Sequence, residues 1–296
     1  MNGVLIIDKP SGFTSHDVVA RVRHILQQKA VGHLGTLDPI ATGVLPLVLG
    51  NMTRLAQFYL KSEKTYEGVI RFGFATDTYD AEGEPISEPQ RPSLTLTQIR
   101  ELAAKFIGSI EQMPPPYSAK KINGVPAYKL ARKKKEVVLT PARVEIKQFE
   151  ILALGDAEAG ACARFRARVA AGTYMRSVAH QIGQLAGCGA HLQSLRRTAV
   201  AEFELENAHT LQDLEAAGIG SETIADLLVH PRKLLPSIPS VTATDDIIAR
   251  IRQGRSVNLP ELSRAREVKV FSGQRDLIAI STRIAGSLFH PRIVLL

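Results

Sequence analysis

Between Gly32 and Gly43 the chain reads GHLGTLDPIATG, and no other stretch restricts its fold as much. Three glycines, an Asp-Pro step and a single acid, Asp38, fall within it. Pro39 biases the backbone of Asp38 away from the helical region. Gly32, Gly35 and Gly43 allow turns or close backbone approach that other residues resist. Before the stretch, Val18, Val19, Val22, Ile25 and Leu26 recur at helical spacing behind Ser15, the expected N-cap. After it, VLPLVLG (Val44 to Gly50) reads as a buried strand. The fold must therefore hold out a tight loop between a helix and a strand. On spacing alone Asp38 is either an Asp-Pro turn or a carboxylate presented to a bound substrate, and the turn is the commoner outcome.

The same reading extends along the chain. GVLIID (Gly3 to Asp8), TYEGVIRFGF (65–74), VEIKQFEILAL (Val144 to Leu154) and CARFRARVA (Cys162 to Ala170) are expected strands. DTYDAEGE (Asp77 to Glu84) reads as a turn, and Leu96 to Ile107 and Tyr174 to Leu185 as helices. In the Cys162 strand, Arg164, Arg166 and Arg168 share one face, opposite Ala163, Phe165, Ala167 and Val169. That arginine face fits a water-bathed surface as well as an RNA-facing one. Residues 210–228 suggest two short helices, and VHPRKLLPSIPS (Val229 to Ser240), with three prolines, is the expected linker. A helix near Asp245 to Arg252 and strands at Val268 to Phe271, Leu277 to Ser281 and after Leu288 follow. Fewer than ~60 residues make a marginal independent core, so this tail is expected to pack on the main domain.

Charge narrows the class. The net charge is +8, from 37 basic and 29 acidic residues. Between residues 118 and 135 stand Lys120, Lys121, Lys129, Arg132, Lys133, Lys134 and Lys135, with no acid. A charge run is usually a solvated face, but here Tyr117, Tyr128 and the prolines 114–116 interleave with it, which suits single-stranded bases on a polyanion. No apolar run approaches the ~18 residues of a membrane span, and no secretory signal is read at the N-terminus. Two cysteines, Cys162 and Cys188, build neither a disulfide framework nor a zinc site, and a reducing cytoplasm is expected. No GxxxxGK[ST] run cradles a free nucleotide.

The Asp38 stretch resembles the catalytic loop of the TruB family of pseudouridine synthases, whose signature runs GHxGTLDPxATG. DKPSGFTSHDVV (Asp8 to Val19), KTYEG (Lys64 to Gly68), PPPYSAKKINGVPAYKLAR (Pro114 to Arg132), GTYMRSVAHQIG (Gly172 to Gly183) and GAHLQSLRRT (Gly189 to Thr198) are similar to the family's other motifs, in the family's order. The resemblance covers about the first two hundred residues. It implies an α/β fold with a mixed, largely antiparallel sheet in residues 1–235, carrying a mobile thumb-like loop at about 114–140. A small β-rich module at 236–296 would be PUA-like, though its motif content is slight.

The resemblance also implies roles. Asp38 is the catalytic carboxylate, Arg176 the arginine paired with it, and Tyr66 the tyrosine lying against the target base. Opposite charge would favour and aim the carboxylate. Tyr174 and Leu195 line the uracil pocket, and His33 enters the RNA loop as the target nucleotide leaves. Lys9, with Pro10, lies near the site; Arg196 and Arg197 contact RNA or tether strands. Lys120, Lys121, Lys129 and Arg132 are the phosphate-contact candidates on the thumb-like loop, where Lys134 stands in place of a glycine common in relatives. The implied activity is isomerisation of uridine 55 in the T loop of tRNA by a cytoplasmic monomer, without metal, cofactor, membrane or obligatory protein partner. Two other readings share these residues: the catalytic subunit of a guide-RNA-dependent complex, and a tRNA-folding chaperone using the basic loop.

Overall fold

Val4 to Ile7 are all buried, because strand β1 (Gly3–Lys9) is covered on both faces. In the computed structural model, which describes residues 1–117, 121–122, 125–126, 139–157, 160–218, 222–261 and 263–296, β1 edges a nine-stranded sheet. The other members are β2 (Val31–His33), β3 (Thr42–Leu49), β4 (Lys64–Phe72), β5 (Gly108–Gln112), β8 (Ala142–Ala157), β9 (Gly160–Val169), β10 (Ala190–Val200) and β11 (Phe203–Glu204). Their order is β1-β3-β10-β4-β9-β8-β5, with β2 on β3 and β11 on β10. Pairing is antiparallel except between β3 and β10, which touch in parallel at Thr42–Arg196 and Gly43–Arg197. A two-strand ribbon, β6 (Lys121–Ile122) with β7 (Val125–Pro126), lies apart.

Helices α1 (Ser15–Ile25), α3 (Leu96–Ala104) and α4 (Met175–Leu185) share one core with the sheet, through Val18, Val22, Ile99, Val178 and Ile182 against Leu5, Leu45, Ile70 and Phe165. The short α2 (Ala56–Tyr59), α5 (Leu211–Ala217) and α6 (Glu222–Leu227) complete this part. The cap of α1 is Thr14 rather than Ser15: Thr14 and Asp17 form a reciprocal capping box. Ser15 is thereby released for another contact, described below.

The C-terminal part is a five-stranded sheet, β12-β14-β15-β16-β13, made of β12 (Ser240–Thr242), β13 (Val257–Asn258), β14 (Glu267–Ser272), β15 (Asp276–Ala285) and β16 (Leu288–Val294), with α7 (Asp245–Arg252) on it. Its Phe271, Leu277, Ile280 and Ile293 pack in one cluster with Val4, Ile6, Val44 and Phe203 of the large sheet. The proline-rich segment expected as a linker is no free tether. Leu234 and Leu235 are buried in that cluster, Glu202 accepts from both Tyr59 Oη and the Leu235 amide, and buried Lys269 donates to the Leu234 and Arg232 carbonyls. Among the described residues no helix is long and apolar enough to cross a membrane.

Candidate active site

Asp38 sits on the loop between β2 and β3, and the residues around it explain why the loop holds one shape. Ser15, the first residue of α1, accepts from the Leu37 amide at 2.8 Å and donates to the Leu37 carbonyl at 3.2 Å. The Gly12 amide donates to the Pro39 carbonyl at 2.9 Å, and the Ala41 amide to the Asp38 carbonyl at 3.1 Å. Gly43 has φ +98°, and a Cβ there would stand 2.2 Å from the Arg197 carbonyl oxygen, so only glycine lets the loop return beside β10.

One guanidinium organises the site. Arg176, in the first turn of α4, has a side chain 5% exposed; that of Asp38 is 37% exposed. Arg176 Nη2 donates to Asp38 Oδ1 at 3.0 Å, and Nε lies 2.9 Å from Oδ2, too misaligned for a hydrogen bond. Nη1 donates to the Thr78 carbonyl at 3.3 Å and stands 3.5 Å from Asp80 Oδ2, while Nη2 also donates to the Tyr117 carbonyl at 2.9 Å. Arg176 thus joins the Asp38 loop, the loop after β4 and the entry to the basic segment. Asp80 is itself held: Thr78 Oγ1 and the Glu82 amide donate to Oδ1 at 2.6 and 3.1 Å.

Charges near Asp38 are perturbed in ways that trace to this packing. Burial pushes the Lys9 ammonium down to about 8, although Asp38 and Glu82 pull it up. Burial raises the Glu82 carboxyl, and the nearby Asp80 and Asp38 raise it further. Lys9 is fully buried and donates to the carbonyls of Pro10, Phe13 and Pro39, binding the DKPSGF segment to the Asp38–Pro39 corner.

The other expected residues divide by position. Tyr66 is buried on β4, directly opposite Arg197 of β10. Arg197 is fully buried, with Nε on the Val44 carbonyl at 2.8 Å, Nη1 on Thr36 at 3.3 Å and Nη2 on Gly35 at 3.0 Å. Burial pushes its guanidinium down, and the Tyr66 hydroxyl offsets part of that. Leu195 is buried two residues back on the same face of β10. Tyr174 precedes α4; its amide donates to Gln112 Oε1 at 2.8 Å and its carbonyl accepts from Gln112 Nε2 at 3.1 Å, bolting the helix start to β5. Arg196 pairs with Asp8 at 2.7 Å and donates to Thr42.

His33 is half-buried at the end of β2, accepts from the Gly35 amide at 3.3 Å and lies edge-on to exposed His16 with ring centroids 5.8 Å apart. Burial first, then His16 and Arg197, lower its pKa. Phe13, 40% exposed, is on the DKPSGF segment. Lys120, Lys129, Arg132 and Lys134 lie outside the described residues, as does the side chain of Lys121. Arg164, Arg166 and Arg168 are exposed on β9, and Arg166 is paired with Glu67 at 2.6 Å.

Asp80 and Glu82 were not singled out by sequence reading, which saw only a turn. The available signal was four acids within DTYDAEGE, more than a turn needs. What the assembled site offers is one partly exposed carboxylate aimed by a buried arginine fork. Among the described residues no group of His, Cys, Asp or Glu is arranged to hold a metal ion.

Known proteins resemble this chain in sequence and in fold. Residues 23–175 match the family model of the TruB family pseudouridylate synthase N-terminal domain, and residues 176–234 that of the tRNA pseudouridylate synthase B C-terminal domain. The chain is 49% identical to the tRNA pseudouridine synthase B of Solibacter usitatus and 36% identical to that of Aquifex aeolicus, each alignment covering 100% of both proteins. Among solved structures, a chain of a Cbf5-Nop10-Gar1 complex matches with a TM-score of 0.70 at 27% identity, over 99% of this chain and 85% of that one. An H/ACA RNP bound to a substrate RNA containing 2′-deoxyuridine matches with a TM-score of 0.69 at 25% identity, over 99% and 85%.

Proposed function

Because the chain belongs to the TruB family of pseudouridylate synthases, we propose that it isomerises the T-loop uridine 55 of tRNA to pseudouridine, unaided by guide RNA, cofactor or partner protein. The observation that carries the reading is the half-open Asp38 carboxylate gripped by buried Arg176. The reaction breaks the bond from uracil N1 to ribose C1′, turns the base, joins C5 to C1′, releases the C5 proton to solvent and leaves N1 carrying a proton taken from solvent. Nothing is oxidised or reduced and no atom is added.

Each group then has a task. Asp38 meets the target nucleotide and assists the exchange of the glycosidic bond. Arg176 fixes the carboxylate plane, and its place between three segments keeps that geometry when RNA enters. Tyr66, Leu195 and Tyr174 supply the walls of a uracil pocket, with the Tyr66 hydroxyl near the base. A uridine inside a folded T loop must leave its stack to reach Asp38, at a cost of a few kcal/mol. His33, at the loop's own rim, fills the vacated place and offsets part of that cost. The basic segment from Lys120 to Lys135 holds the RNA backbone.

The guide-dependent alternative has a structural argument, since matching solved structures include a Cbf5-Nop10-Gar1 complex and an archaeal box H/ACA sRNP Nop10-Cbf5 complex. The full-length likeness to bacterial tRNA pseudouridine synthases at 49% identity favours the stand-alone reading. The test uses purified protein alone and a transcribed tRNA carrying tritium at uridine C5. One equivalent of tritium released per tRNA, and none when cytidine replaces the T-loop uridine, is expected. Absence of release by the intact protein overturns the proposal; release only with added RNA and protein subunits favours the guide-dependent reading. A tRNA-refolding assay on a catalytically silent variant measures any chaperone activity separately.

A further inference from the structure

We propose that Tyr79 and His180 form a positioning pair that sets how Arg176 meets Asp38, an inference whose activity arm rests on the uridine-isomerase reading of this site. Neither residue belongs to the expected site, and neither touches Asp38 in any contact described above. Their rings are stacked with centroids 3.8 Å apart and planes within 15°.

The backbone gives the first argument. Tyr79 has φ +66°, in the left-handed region. For a bulky residue that conformation is strained and persists only where the surroundings over-determine it. Here its amide donates to the Thr76 carbonyl at 3.3 Å and its carbonyl accepts from Leu192 of β10 at 3.0 Å. Its ring is held by His180 alone among the ring contacts of the described residues.

Its neighbours give the second. The residue before Tyr79 is Thr78, whose carbonyl accepts from Arg176 Nη1; the residue after is Asp80, whose Oδ2 stands 3.5 Å from the same nitrogen. On α4, His180 comes four residues after Arg176, so the two lie one above the other on one helix face. The tripeptide Thr78-Tyr79-Asp80 therefore grips α4 at two successive turns, by polar contacts on Arg176 and by a ring on His180. The polar contacts are long, at 3.3 and 3.5 Å, and do not set an angle by themselves. The stack does, because sliding or tilting it moves the two residues that flank Tyr79. His180 Nδ1 is buried without a hydrogen-bond partner, so packing rather than hydrogen bonding at that nitrogen fixes the ring. Burial lowers the His180 pKa and raises that of Tyr79, which keeps both rings neutral near pH 7 and suits a parallel stack.

The decisive variants separate the ring from the backbone. Tyr79→Phe keeps the stack and retains kcat within about twofold. Tyr79→Gly removes the ring but welcomes the positive φ, so its melting temperature stays near that of the parent while kcat falls about tenfold, with KM for tRNA within twofold. His180→Ala gives the same kcat-only loss, and the double variant is no worse than either single one, because both delete one contact. A second readout needs no RNA. Rotation about the Arg176 Cζ–Nε bond, followed by side-chain NMR, is slow in the parent and in Tyr79→Phe and faster in Tyr79→Gly and His180→Ala. Unchanged rotation in those two variants overturns the proposal, and so does multiplicative loss of activity in the double variant. If the parent shows no tritium release, the isomerase reading fails, and the NMR result still decides whether the pair positions Arg176.

Discussion

Two buried arginines hold the segment from Gly35 to Val44 that carries Asp38, and they have opposite surroundings. Arg197 is enclosed by three backbone carbonyls and the Tyr66 hydroxyl, with no carboxylate among its hydrogen-bond or ion-pair partners in the described residues. Arg176 is almost as enclosed, yet meets Asp38 and Asp80 as well as two carbonyls. A cation out of water is costly unless its donors are matched. Around Arg197 the matching is structural: the fork closes the loop from Gly35 to Val44 onto β10, and nothing of it reaches solvent. Around Arg176 the matching leaves one partner, Asp38, with an open side. The lesson is that burial of a charge does not mark a reactive centre by itself. A centre needs a partner that is both fixed and reachable.

The comparison is broken most severely at Asp38. Asp38→Asn keeps the hydrogen-bonding shape but loses the charge, and tritium release falls by about 10³-fold or more. The melting temperature and tRNA affinity stay close to the parent, as fits a half-exposed group. Appreciable turnover by this variant would remove Asp38 from its role. At Arg197 the damage is to the fold. Arg197→Met leaves three carbonyls without their donor, at about 1–3 kcal/mol for each buried group left unpaired, so urea denaturation should shift by roughly 3 kcal/mol or more. A stable Arg197→Met protein that lost only activity would make Arg197 part of the chemistry after all. Arg176→Lys sharpens the contrast: it keeps a charge but cannot match a carboxylate with a fork. Its kcat drops about 10- to 100-fold, with tRNA affinity unchanged by filter binding.

Much of this was legible before any coordinates. Alternating and periodic apolar residues located β1, β3, β4, β8, β9, α1, α3 and α4, because long elements on a large core advertise their buried faces. Asp38, Tyr66 and Arg176 came from the family resemblance, and the pairing of Arg176 with Asp38 could not have come from spacing, since it spans 138 positions of sequence. The two-residue strands β11 and β13 carry no pattern that a window could detect. The segment from Val229 to Ser240 looked like a tether because prolines punctuate it. The burial of Leu234 and Leu235 depends on Lys269, Glu202 and Phe271, which are distant in sequence. Arg196 and Arg197 were indistinguishable neighbours in LRRT. Strand alternation separates them, sending Arg197 inward with Tyr66 and Arg196 to Asp8 at 2.7 Å.

The smallest expected effect tests whether the partly buried histidines respond as burial dictates. His33, near Arg197, His180, behind Arg176, and His191 all have pKa values lowered from 6.5, each chiefly by burial. In the unfolded chain these imidazoles take up protons near 6.5, whereas in the folded chain they resist until lower pH. Over that interval the unfolded state binds more protons, so stability rises with pH. The contribution is therefore complete above about pH 7 and is lost as pH falls through 6.5 towards the lower folded values. Melting temperatures should decline from pH 7.5 to pH 5.5, in Asp38→Asn as in the parent, because the carboxylate is not the source. His33→Gln and His180→Gln should each flatten the decline. Beyond burial, His16 and Arg197 also oppose the charging of His33. If His180→Gln flattened the curve and His33→Gln did not, the surroundings of Arg197 would be open to water on the timescale of unfolding, and the division between strut and reactive centre would have to be redrawn there.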